Sequence, residues 1–153
     1  MRVFITGVDG YLGWPLSLYL AKRGHEVAGA DNYYRRDWVQ EMGSQSATPI
    51  RKMTERLKAF HEIFGKNLQF FKGDLADYDF IENVFKHFKP EAIVHLGEMP
   101  SAPYSMIDVN HAVWTQSNNI VGTLNILHAM RDICTDAHLI KLGTMGEYGT
   151  PNL

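Results

Sequence analysis

The chain has 153 residues, the size of one domain, with 15 Lys and Arg against 17 Asp and Glu and a formal charge of -2. That balance excludes a polyelectrolyte tail and a nucleic-acid footprint, and 45% hydrophobic content is enough for one buried core. No stretch approaches the ~20 apolar residues of a membrane span, and Cys134, the only cysteine, excludes an internal disulfide.

A small-molecule partner is therefore expected, with neither nucleic acid nor membrane. The single, inert-looking thiol fits a reducing compartment. Met1-Arg2 runs straight into Val3-Phe4-Ile5, which leaves no room for a leader and makes a cytoplasmic location the expectation.

Short apolar runs alternate with helix-period segments, the pattern of an α/β fold with a parallel sheet between two helical layers. Strands are predicted at 2-6 (RVFIT), 26-30 (EVAGA), 68-72 (LQFFK), 92-96 (AIVHL) and 137-142 (AHLIKL). Between the first two, Leu12, Leu16, Tyr19 and Leu20 share a helical face, Pro15 falls in the first turn and Gly24 ends the helix. Thr48-Pro49 reads as N-cap and first residue of a helix carrying Ile50, Met53, Leu57, Phe60 and Phe64. Asp77 caps another, with Ile81, Val84, Phe85 and Phe88 turned inward, and a long helix over about 107-132 places Val113, Ile120, Leu124 and Leu127 in the core.

The turn after the first strand reads Thr6-Gly7-Val8-Asp9-Gly10-Tyr11-Leu12-Gly13. Gly7 permits a tight turn, Gly10 lets backbone approach a pyrophosphate, and Gly13 lets the helix pack close to the sheet. The helix start, with Tyr11 and Leu12, offers unpaired N-H groups and partial positive charge to phosphates. Asp31 ends the second strand, where a carboxylate accepts bonds from ribose hydroxyls and repels a 2'-phosphate, which favours NAD over NADP. Asp31-Asn32 is equally the sequence of an ordinary turn. Arg35 and Arg36 either face solvent or offset phosphate charge, and so keep NADP open.

Further along the same edge, Gly73-Asp74-Leu75 sets Asp74 either to bond an adenine or only to form a turn. Leu96-Gly97-Glu98 would let backbone pass the nicotinamide half at Gly97, and His95 reads as a satisfied strand histidine in preference to a base. Leu142 then opens into Gly143, Thr144, Met145, Gly146, Glu147 and Tyr148, one wall of an active site. Other chemistries lack their residues. His61-Glu62 has Gly65 where a second zinc-binding histidine belongs, Ser105 and Thr144 have no His/Asp relay, and there is no GxxxxGK[ST] loop.

The TGxxGxxG turn, Asp31 and Asn119-Ile120-Val121-Gly122-Thr123 together resemble the extended short-chain dehydrogenase/reductase family. "DNYYRR", "TPI", "GDL", "SAPYSMID", "NNIVGTLNIL" and "KLGTMGEYGTPN" resemble its UDP-sulfoquinovose synthase branch, in order and over essentially the whole chain. The resemblance implies a Rossmann-type doubly wound sheet holding NAD, with Asn119 added to the cofactor contacts. It also implies UDP-glucose and sulfite as reactants: oxidation at C4 acidifies the C5 proton, water leaves from C6, sulfite adds there, and hydride returns to C4. Thr144 matches the first of the threonine, tyrosine and lysine that do this work.

None of the chain's tyrosines has a lysine four residues on, so the YxxxK pair is absent. The expectation is an incomplete NAD-binding domain over 1-153, interrupted after the fifth strand and lacking the sugar-binding region. Pro100 stands where the branch carries an arginine suited to an anion, and a proline offers neither charge nor N-H. Glu98, Ser101, Tyr104 and Ser105, with Thr144, Met145, Gly146, Glu147 and Tyr148, are the implied substrate contacts. Another UDP-sugar epimerase or dehydratase, or a non-catalytic NAD-binding module, stays open beside this reading. A homodimer through the helix at about 107-132 is implied by the same analogy.

Overall fold

The computed structural model describes residues 1–143 and 149, so the expected catalytic and substrate-contacting positions Thr144 to Tyr148 lie outside the described residues. Five strands form one parallel sheet: β1 (Arg2–Thr6), β2 (Glu26–Asp31), β3 (Gln69–Lys72), β4 (Ala92–His95) and β5 (His138–Lys141). Their order is β3-β2-β1-β4-β5, so the winding reverses between β1 and β4. Ligands of such sheets lie beyond the carboxyl ends of the strands at that reversal.

Successive β1 side chains point to opposite faces, and each face has its own helical layer. Val3 and Ile5 pack with Val27, Val94 and the inward residues Met53 and Phe60 of α3 (Met53–Phe64), beside α1 (Gly13–Lys22). Phe4 and Ile93 pack on the other face against Ile81 and Phe85 of α4 (Tyr78–Phe88) and against Ile126 and Ala129 of α7 (Gly122–Ile133). The Phe4 and Phe85 rings meet edge to face at 5.6 Å. Asp77 caps α4 as expected, its side chain accepting from the Phe80 N-H, and Ile81, Val84, Phe85 and Phe88 are all buried.

Three sequence expectations change. In α1 the buried face is Gly13, Ser17 and Ala21, while Tyr19 is 52% exposed with Arg23 stacked 3.6 Å over its ring. Small residues face inward because α1 lies so close to the sheet and the glycine turn that bulkier ones are pushed to its flanks. Gly24 does end the helix, at φ +85°, with the His25 and Gly24 N-H groups bonded to Leu20 O and Ala21 O.

In α3 the helix begins at Met53, after Lys52, and the Glu55 carboxylate accepts the Lys52 N-H at 3.1 Å. Thr48-Pro49 therefore stays outside the helix and Ile50 is exposed.

The predicted long helix is α6 (Val109–Gln116), a π-helical segment Ser117–Val121 and α7. Val113, Ile120, Leu124 and Leu127 are 44–59% exposed. The inward positions are Thr115, Asn118, Gly122, Ile126 and Ala129, again at helical spacing. Gly122 faces Leu75 so closely that a Cβ there would sit 3.1 Å from the Leu75 Cβ. Among the described residues no helix is long and apolar enough to cross a membrane, and no His, Cys, Asp and Glu cluster could hold a metal ion.

Candidate dinucleotide site

The turn between β1 and α1 lies at the carboxyl end of the central strand. Gly7 has φ +70°, a conformation that costs most residues energy, and its N-H and that of Val8 both bond Ala30 O, at 2.9 and 3.3 Å. Gly13 is required by space: a Cβ there would lie 2.3 Å from Gly7 O and 2.7 Å from the Val8 Cα. Gly10 closes the turn through its N-H to Gly7 O, at 3.1 Å. Among the described residues the N-H groups of Tyr11, Leu12 and Gly13 have no protein partner, and α1 has no acidic residue in its first turn. Three convergent donors at a helix start make a receptor for an anionic oxygen.

Asp9, the acidic residue of this turn, was missed by the sequence reading. Its side chain is 6% exposed and is held by two arginines. Arg36, from α2 (Tyr34–Glu41), forks onto both carboxylate oxygens at 2.7 and 2.8 Å, and Arg56 of α3 bonds Asp9 Oδ1 at 2.6 Å and Asp9 O at 3.0 Å. Arg36 titrates higher than an ordinary arginine because of its bond to Asp9, whereas burial pulls Arg56 down. Two guanidinium groups balance the Asp9 and Asp31 carboxylates, so the acidic residues of this corner are neutralised beside the free N-H groups. Arg35 is exposed and takes no part in this cluster.

Asp31 stands where expected, at the end of β2. Its Oδ2 accepts the Asp9 N-H at 2.9 Å and its Oδ1 the Tyr33 N-H at 2.8 Å. Burial raises its pKa, and those two N-H bonds oppose the rise. Each oxygen keeps a second lone pair for a hydroxyl. Asn32 caps the next turn, accepting the Tyr34 N-H at 3.1 Å. Asp74 is a turn former, with Oδ1 on the Ala76 N-H at 2.9 Å. Leu75 is buried, and its carbonyl accepts from the Asn125 side chain.

On the other side of β1, one hydroxyl organises the start of the β4 loop. Thr6 Oγ1 accepts the Leu96 and Gly97 N-H groups, both at 3.0 Å, and its proton is left for His95 Nδ1 at 2.7 Å. That directs His95 Nε2-H toward Thr123 Oγ1 at 3.1 Å. Burial drives the His95 pKa down to about 4. The imidazole is neutral and satisfied, as the sequence reading held. Asn119, expected at the cofactor, brackets the loop: it accepts the Met99 N-H at 2.8 Å and donates to Met99 O at 3.0 Å.

The implied substrate contacts in this loop are mostly committed to protein partners. Glu98 pairs with Lys141 at 3.1 Å at the edge of the crevice. Ser101 caps the short helix α5 (Ala102–Ser105), Ser105 donates to Ala102 O, and Tyr104 is 7% exposed with its hydroxyl on Glu41 Oε2 at 3.0 Å. Pro100 is exposed beside them.

The GDP-mannose 4,6 dehydratase family matches residues 4–152. The UDP-sulfoquinovose synthase of Sulfolobus acidocaldarius is 48% identical over 99% of this chain and 38% of its own length. The chloroplastic UDP-sulfoquinovose synthase of Spinacia oleracea is 45% identical over 99% of this chain and 32% of its own. The chain thus spans about a third to two fifths of the curated relatives it matches. A crystal structure of a Thermus thermophilus UDP-glucose 4-epimerase complex with NAD is 31% identical, with a TM-score of 0.62 over 87% of this chain and 34% of that one. With a parallel sheet wound as in that structure and a family match from Phe4 to Asn152, the chain belongs to the GDP-mannose 4,6 dehydratase family.

Proposed function

We propose that this chain is the dinucleotide-binding part of a sugar-nucleotide enzyme that works on UDP-glucose and sulfite through a 4-keto intermediate. The observation that carries the cofactor reading is the set of free Tyr11, Leu12 and Gly13 N-H groups beside the arginine-clamped Asp9, with the Asp31 carboxylate at the end of the adjacent strand. Bound NAD supplies reversible hydride acceptance. The chain's own residues fit it: the turn receives the diphosphate, Asp31 accepts ribose hydroxyls, and the Thr6-organised backbone at Leu96 and Gly97 borders the nicotinamide half. Arg36 and Arg56, held beside the turn by Asp9, are the charges that offset phosphate.

The reaction itself rests on the names and identities of the two synthases. Thr144, three residues beyond Lys141 in the sequence, is the proposed contact to the sugar, together with Glu98 and the stretch Met145 to Tyr148, and a homodimer would use the exposed face of α6 and α7. Pro100 favours a second reading for the substrate half, an epimerase or dehydratase of another UDP-sugar, because it removes the anion-binding arginine.

Calorimetry tests the cofactor reading. NAD should bind with micromolar or tighter affinity, NADP more weakly, and Asp31→Ala should weaken NAD by about tenfold or more, the loss of hydrogen bonds to a charged group. Equal binding by wild type and Asp31→Ala would remove the ribose from its assigned place. Because no tyrosine here has its YxxxK lysine, turnover of UDP-glucose by this chain alone should be absent.

A further inference from the structure

Beyond the cofactor contacts, and resting on that reading of the crevice, we propose that α2 is clasped to α5 and α6 across the carboxyl end of β1, and that this clasp gates entry and release of the dinucleotide. The topology requires the bridge to cross the crevice: α2 follows β2, α5 and α6 follow β4, and β1 with its glycine turn lies between those strands.

The clasp is built from aromatic rings. Trp38 of α2 meets Trp114 of α6 edge to face at 4.7 Å and Tyr104 of α5 at 5.7 Å. Tyr34 meets Trp114 at 6.0 Å, and Tyr104 meets His111 at 4.8 Å. Glu41 fastens the same seam, taking the Tyr104 hydroxyl at 3.0 Å and His111 Nε2 at 3.0 Å, while Asp108 Oδ1 holds His111 Nδ1 at 2.7 Å.

The seam is poised to open because little else holds α2 down. No α2 residue is fully buried, and residues 41–52 are all exposed. The helix is entered through Tyr33 at φ +68° and left through Gly43 at φ +63°, two left-handed joints. Beyond the seam, Arg36 ties it to Asp9 and to the Arg51 carbonyl at 3.1 Å. Each edge-to-face ring pair contributes about 0.5–1.5 kcal/mol, so the seam is strong enough to slow exchange and weak enough to part. Glu41 and Asp108, the two carboxylates facing His111, favour its protonated form, and Tyr104 is the remaining titratable neighbour.

A gate has a kinetic signature that a ligand contact lacks: loosening it speeds association and dissociation together. Stopped-flow quenching of tryptophan fluorescence by NAD measures both rates, and Trp14 and Trp114 remain as reporters in Trp38→Ala. That variant should raise both rates about tenfold and leave Kd within about twofold, the tenfold lying within what losing the two ring pairs Trp38 makes across the seam removes from a barrier. Glu41→Gln, an exposed and milder change, should raise both about threefold, as expected for one hydrogen bond to a charged partner. A rise in dissociation alone, or unchanged rates in both variants with NAD binding intact, would overturn the clasp. Failure of the wild-type chain to bind NAD would instead remove the site reading, and the clasp with it.

Discussion

The carboxyl end of β1 and the outer face of the helical stretch from α6 through α7 are built to opposite standards. At the first, the polar side chains have partners within the chain: Thr6 Oγ1 serves two N-H groups and His95, Asp9 holds two arginines, and Asp31 takes two N-H groups, while among the described residues the Tyr11, Leu12 and Gly13 N-H groups at the start of α1 have no protein partner. At the second, Val113, Ile120, Leu124 and Leu127 lie 44–59% exposed. A satisfied region in which three donors remain free has a ligand-shaped deficit, whereas an apolar face is a packing deficit that another surface fills.

Substitutions should separate the two regions by size of effect. Gly13→Val, whose Cβ would collide with backbone atoms of Gly7 and Val8, should cost about 3 kcal/mol or more of stability in urea titrations, since overpacking here has no soft side chain to displace. Asp9→Ala leaves two guanidinium groups facing each other and should cost about 3 kcal/mol, the scale of breaking a buried ion pair from one side.

His95 makes the region acid-sensitive. Its pKa falls from the ordinary 6.5 to about 4 on folding, so the unfolded chain takes up the proton first. Stability is fully present above pH ~6.5 and declines as pH falls toward 4, by on the order of 2–3 kcal/mol. Urea midpoints at several pH values should show this slope in wild type and a shallower one in His95→Gln. Leu124→Ser, on the outer face, should change monomer stability by no more than about 0.5 kcal/mol. A loss near that of Gly13→Val would mean the outer face is not the open surface described above.

Much of this contrast was legible in the sequence. The alternation of apolar runs with helical periods foretold all five strands, because parallel strands covered on both faces read as nearly continuous Val, Ile and Phe. The glycine spacing marked the turn, since Gly7 needs a left-handed φ and Gly13 has no room for a Cβ. The helix faces were not legible. Apolar size was taken for inwardness, yet α1 buries Gly13, Ser17 and Ala21, and α7 buries Gly122, Ile126 and Ala129, because close approach selects small residues. The signal was present as small residues at spacings of three and four.

The start of α3 was misplaced because Thr48-Pro49 is a plausible helix start that loses to the Glu55 bond at Lys52. Asp9 was invisible as a cluster centre because Arg36 and Arg56 reach it from 27 and 47 residues away. A buried carboxylate inside a glycine turn nonetheless demands a neutralising partner, and that demand could have prompted the search.

The most direct measurement is an NAD titration of the isotope-labelled chain followed through its backbone amide resonances. The account predicts the largest shifts at Tyr11, Leu12 and Gly13, with smaller ones around Asp31 and Gly97. Shifts confined to the slot between α1 and α3 lined by Leu18, Phe60 and Ile63, or an amide spectrum that NAD leaves unchanged, would contradict it.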